Sequence, residues 1–249
     1  MLDNQSQQIE QPDIIALRAR QVVAFVARHW LALLLTSLFI FTALPFLAPV
    51  AMAAGWTQVG YGLYGFYSYF CHQLPQRSWF LFGPKLTYTM AELQRYEPAN
   101  SAWAMRSFVG NAELGWKVAW SDRMVSFYFM VPVFGLVYAL LRAVGVRVKP
   151  ISWLVLAVLL APIAVDGATH ALNDVLAGMT GAGFRDTNAW LALLTGNAFP
   201  GFYAGDQLGT FNWWARLITG LLAALGLAFF TLPWLEQLVE QEFEQTLVK

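Results

Sequence analysis

From His29 to Gln76 the chain runs without a single Asp, Glu, Lys or Arg, and most of that stretch is apolar. A soluble domain has too little interior to hide so long an uncharged run, so this feature alone points to a bilayer. Composition agrees: of 249 residues, 58% are hydrophobic and 12% charged, where ordinary soluble domains carry about 25% charged residues. The formal net charge is zero, which leaves no electrostatic footprint for nucleic acid. We therefore expect an all-α fold, a polytopic helix bundle in the lipid bilayer.

Four stretches offer the roughly 20 apolar residues that cross a ~30 Å hydrocarbon core: Trp30 to about Ala54, Met124 to Leu141, Ile151 to about Ala171, and Phe211 to Leu235. The membrane domain accordingly covers 30–235. It is flanked by a polar N-terminal segment, 1–29, with Arg18, Arg20 and Arg28, and by an acidic tail, 236–249. Leu235, Leu238, Val239 and Phe243 keep helical spacing, so the last helix is expected to run on into water with one apolar face. Ala51-Met52-Ala53 has the form of a signal-peptidase site, but the apolar run before it exceeds the about 7 to 15 residues of a signal-peptide core. An uncleaved anchor is expected.

Residues 55–70 carry four glycines and place Tyr61, Tyr64, Tyr67 and Phe70 at intervals of three. They suit an interfacial or re-entrant helix packed on its neighbours. Residues 187–205 are uncharged but broken by Asn188, Asn197 and Pro200, and make a weak further span. Residues 79–122 mix charges of both signs and are expected to be a loop with short helices, one of them capped at Thr89.

If 72–122 and 172–209 do not cross, one membrane face gathers Cys71, His72, Gln73, Arg77, Asp122, Arg123, Asp166, His170, Asn212 and Arg216. With four spans, the N-terminal arginines and the short turn bearing Arg142, Arg147 and Lys149 are both cytoplasmic, as the bias of short loops requires. Both termini then lie on the cytoplasmic side, and the polar cluster faces out.

Cys71 is the only cysteine, so it forms neither an internal disulfide nor a Cys-x-x-Cys site. Asp166 and His170 are spaced i, i+4 and share a helix face. An unpaired carboxylate within a span costs at least ~2.5 kcal/mol, so Asp166 is expected to meet Arg216, Arg123, Arg77 or a metal. One reading makes Cys71, His72, Asp166 and His170 ligands of a divalent metal such as zinc, for which S, N and O donors suffice. A second makes Cys71 a nucleophile or acylation site activated by a histidine. The third leaves Cys71 a small buried hydrophobe and Gln73, Arg77, Asp122, Arg123, Asn212 and Arg216 a structural polar cluster. The chain is then a scaffold, an accessory subunit of a larger membrane complex, a homo-oligomer, or a small-solute binder or transporter. The sequence leaves open whether it is an enzyme.

Three ordered motifs carry a resemblance: Cys71-His72-Gln73 with Arg77-Ser78, Asp166-Gly167 closing the third span, and Thr210-x-Asn212-x-x-x-Arg216-x-x-Thr219-Gly220. Together, over roughly 60–235, they resemble an uncharacterised CHQ-motif family of predicted integral membrane proteins of bacteria and archaea. The block from Gly115 to Met124 looks like its green non-sulfur (Chloroflexi-type) branch. The resemblance implies a family without an assigned activity. Many relatives carry a Cys-x-x-Cys segment after the CHQ motif, which Leu86 to Tyr96 lacks, and His170 stands where they commonly have Gln.

Overall fold

A computed structural model describes residues 14–98 and 101–248. The polar residues 1–13 lie outside the described residues. Helix α1, Ile14–Ala43, passes through a tight turn at Leu44–Phe46, where Pro45 sits, into α2, Leu47–Ala53. A short helix α3, Thr57–Tyr67, follows. Then come strand β1, Ser78–Leu81, short helices α4, Met90–Leu93, and α5, Ala102–Ser107, and strands β2, Gly110–Asn111, and β3, Gly115–Ser121. Helix α6, Asp122–Met124, leads through a π-turn at Val125–Phe129 into α7, Met130–Ala143. Helices α8, Trp153–Ala177, α9, Phe184–Thr187, α10, Ala189–Leu194, and α11, Phe211–Val248, complete the chain.

The protein is mostly helical with little sheet. Among the described residues four segments are long and apolar enough to cross a membrane: Leu17–Ala53, Asp122–Ala143, Trp153–Ala177 and Phe211–Gln241. Helix α3, with 11 residues, is about 16 Å long and too short to do so. Residues 187–205 hold only the six-residue α10 between turns, because Asn188 and Asn197 take positive φ and break the helix. The final helix does continue past Leu235, and Val239 packs on the core at that end.

Residues 79–122 depart from the expected loop with short helices. The cap at Thr89 is present as a full capping box with Glu92, but β1, β3 and β2 also form an antiparallel sheet in that order. Ser78 faces Ser121 and Phe80 faces Lys117. The alternation of Trp116, Val118 and Trp120 with Lys117, Ala119 and Ser121 is a strand signal that mixed charge obscured.

Helix α11 supplies the packing spine through Ala223, Ala224 and Ala228, all essentially fully buried. Small side chains let neighbouring backbones approach closely. At Gly220 a Cβ would lie 2.1 Å from Ser126 Oγ, so the π-turn and α11 meet only because that position is glycine. One end of the bundle closes on Trp30, Leu35, Tyr138 and Leu232. The other closes on Tyr67, Cys71 and Trp120, and carries a cap built from 71–121 and 178–210.

Candidate functional site

The cap end holds a buried network of four arginines and four aspartates. Arg77, on the tight turn Pro75–Arg77, places NH1 and NH2 each 2.7 Å from an oxygen of Asp174 in a bidentate pair, and Nε 2.9 Å from Asp206 Oδ2. Arg216, one turn into α11, sets Nε 2.8 and 2.9 Å from the two oxygens of Asp122, and NH1 2.6 Å from Asp206 Oδ1. Asp206 therefore joins a loop arginine to a helix arginine.

Asp166 receives Arg123 NH2 at 2.7 Å and Arg185 NH2 at 2.6 Å. Of the partners anticipated for it, Arg123 is present, while Arg216 and Arg77 are committed elsewhere. Arg185 NH2 also donates to His170 Nε2 at 3.1 Å. Because arginine only donates, that ring nitrogen is the acceptor and His170 is neutral, with its hydrogen on Nδ1. His170 Nδ1 is buried without a partner.

A second layer of amides fixes Arg185. Asn173 accepts from its backbone N–H at 2.8 Å and donates to Asp186 at 3.0 Å. Asn212 and Asn188 each donate to its carbonyl at 2.7 Å. Asn188 sits at φ 42°, a left-handed conformation that asparagine tolerates better than most residues.

All eight carboxylate oxygens of Asp122, Asp166, Asp174 and Asp206 accept a guanidinium N–H. Bidentate and charge-assisted bonds of this kind are the strong ones. Burial raises the pKa of Asp206, but Arg77 and Arg216 outweigh it and hold the carboxyl well below the usual range.

Of the candidate ligands, Asp166 and His170 are brought together, Oδ1 and Nε2 3.8 Å apart and both on Arg185, while Cys71 and His72 make their contacts elsewhere. Cys71 is buried among aromatics, its sulfur accepting from the Gln73 and Ser121 backbone N–H groups at 3.4 and 3.3 Å and lying 3.5 Å from Ser121 Oγ. His72 is exposed and turns Nδ1 back to accept from Leu74 N at 3.1 Å. Asp166 is saturated. Among the described residues no group of three or more His, Cys, Asp or Glu side chains is placed to hold a metal ion.

Gln73, at φ 52°, donates to Tyr64 O at 2.9 Å and lends its carbonyl to Lys117 Nζ at 2.7 Å. Lys117 is fully buried with no carboxylate paired to it among the described residues, and its other acceptor is Arg106 O at 2.7 Å. Burial, reinforced by Arg106, pushes its pKa down to about 7.

Lys117, Asp174, Arg185 and Asp206 are the site residues that sequence reasoning did not single out. Asp174 had a signal, since it continues the stripe of Asp166 and His170 at the next i+4 position. Arg185 and Asp206 lie in irregular chain where spacing carries none. Compared with known protein families, curated proteins and solved structures, the chain matches none.

Proposed function

We propose that this is an integral membrane protein whose outer face recognises a ligand, with the Arg–Asp network as a fixed frame and not a reaction centre. The single observation behind this is the saturation of the four aspartates. A carboxylate with both oxygens on guanidinium groups is neither a base, nor a nucleophile, nor an open metal ligand. The four positive and four negative charges also cancel, as a network buried at the end of an apolar bundle needs.

In this reading the four apolar segments span the cytoplasmic membrane of a bacterium with both termini inside, and α3 lies at the outer interface against α2 and β3. The support is the charge of the short connection after α7, where Arg142, Arg147 and Lys149 cluster, together with Arg18, Arg20 and Arg28 at the same end. The motif resemblance is consistent with this placement.

The test is elemental analysis with thermal unfolding of the detergent-purified protein and of Asp166→Asn. A frame gives no stoichiometric metal, no response to chelator, and a large loss of stability in the variant. About one zinc or iron per chain, lost in Asp166→Asn, would overturn the reading in favour of a metal centre.

A further inference from the structure

At the end of the bundle away from the cap, α1 and α7 approach closely at Gly135, where a Cβ would lie 2.3 Å from Leu35 Cδ2. Beside that contact, between the two helices, lies a cavity of about 660 Å³. Its α1 wall holds Leu31, Leu35 and Phe39, which follow Arg28 at i+3, i+7 and i+11 and so share its helix face. Leu136 and Ala139 form the α7 wall. From Arg28 to Phe39 the helix advances about 16 Å. That is close to half of the ~30 Å hydrocarbon core, the depth of one leaflet.

The charges stand at one end only. Arg28 immediately precedes the uncharged run of α1, and Arg142 closes the uncharged part of α7; both line the cavity. No carboxylate lines it among the described residues. Glu236 and Glu240 line a separate, smaller cavity on the α11 side of the same two arginines. Arg142 sets Nε 2.5 Å from Glu236 Oε1, while its NH1 and NH2 donate no hydrogen bond among the described residues. Arg28 makes no ion pair there. Arg147 and Lys149, on the turn after α7, add positive charge at this end.

Ala32 and Leu136 are exposed, so the cavity opens sideways along its length. An apolar slot one leaflet deep, with guanidinium groups at its water end, is complementary to a molecule that joins an anionic head to an alkyl chain. A free phosphate would leave the slot unfilled, and a zwitterionic head would bring a further cation to the arginines. We infer that the cavity holds one anionic phospholipid, its phosphate on Arg28 and on NH1 and NH2 of Arg142, and an acyl chain on Leu31, Leu35, Phe39 and Leu136. The site is independent of the frame at the cap. It takes from the proposed orientation only that the lipid comes from the cytoplasmic leaflet.

The test is titration of the intact, delipidated, detergent-purified protein with dioleoyl phosphatidylglycerol, read by native mass spectrometry and by melting temperature. Dioleoyl phosphatidylcholine and inorganic phosphate are the controls. One phosphatidylglycerol per chain should bind saturably, about tenfold tighter than phosphatidylcholine, and raise the melting temperature as its concentration rises. Binding should be about fivefold weaker in Arg28→Gln, the share of one basic residue, which without lipid should melt as wild type because Arg28 is exposed. Ala32→Trp, also at an exposed position, fills the slot with an indole and should abolish saturable binding. Equal affinity for the two lipids, wild-type affinity in either variant, or phosphate binding as tightly as the phospholipid would overturn the assignment. So would a lipid-insensitive dimer broken by Ala32→Trp, which would give the slot to a second copy of the chain. Absent lipid binding in a metal-free, Asp166-dependent protein overturns this site alone; a stoichiometric metal beside intact lipid binding overturns the frame alone.

Discussion

Replacing Arg216 by Met should cost about 3–5 kcal/mol, the usual penalty for stranding a buried charge. Arg216 is 1% exposed and is the only guanidinium on Asp122, whose remaining bond is to the Arg123 backbone N–H at 2.8 Å. Asp206 keeps Arg77, so the loss falls chiefly on Asp122. The single change Asp122→Asn leaves Arg216 attached to Asp206 and should cost somewhat less, about 2–4 kcal/mol. In the double variant the charges balance again, and the cost should fall short of the sum of the singles by about 2–3 kcal/mol. For a chain of this length 1 kcal/mol moves the melting temperature by about 2–4 °C, so the Met variant should melt roughly 6–20 °C lower. Thermal unfolding of all four proteins in one detergent reads the cycle. Costs that add to within about 0.5 kcal/mol would show that the two charges do not stabilise each other.

Three further outcomes follow from single positions. Lys117 has a folded pKa of about 7, below the usual lysine value, so the folded state binds fewer protons than the unfolded one between those limits and stability should rise with pH there. The slope is at most about 1.4 kcal/mol per pH unit, and the rise should vanish in Lys117→Met, measured as melting temperature against pH from 7 to 10. Gly183→Ala puts a Cβ 2.1 Å from Asn173 Oδ1, at the amide that holds Arg185 and Asp186. It should cost about 1–3 kcal/mol by overpacking, and unchanged unfolding would show that the amide layer can shift freely. Cys71 is 6% exposed and should resist a membrane-impermeant maleimide, whereas Trp103→Cys, at a position 78% exposed on the cap, should label from outside intact cells. Labelling only after lysis would reverse the membrane orientation.

The spans were legible because lipid demands runs of uncharged residues and leaves little else for such runs to be. The grouping of Asp122, Arg123, Asp166, His170, Asn212 and Arg216 at one end also follows from counting crossings, without any contact being known. Which charge pairs with which did not follow. Asp166 meets Arg185 from an irregular loop, and Asp206 bridges two arginines from another. Partners brought together by loops have no periodicity to read. The sheet was hidden for a different reason: β3 buries both faces, Lys117 included, so its polar residues imitate a solvated loop.

An all-apolar replacement of a buried ion pair is often neutral or stabilising, so the frame needs a justification other than stability. Its members come from the turn after the Cys-His-Gln motif, from the starts of α6 and α11, from α8, from α9 and from the loop at Asp206, and three pairs, Arg77–Asp174, Arg185–Asp166 and Arg216–Asp206, tie the cap to the bundle in one register. That distinction is testable with Arg77→Met/Asp174→Leu, which removes one charge of each sign and leaves Asp206 on Arg216. The melting temperature should stay within a few degrees of wild type, because the lost Coulombic attraction is offset by desolvation no longer incurred. Directionality disappears, however, since methionine and leucine contacts fix no register. Amide hydrogen exchange across 178–210 should therefore speed up at least tenfold while α7 and α11 keep their protection, the signature of a cap that opens apart from the bundle. Exchange unchanged in the cap, with stability retained, would mean that apolar packing around Leu74, Tyr88 and Met179 already holds it in place and that the ionic frame does not.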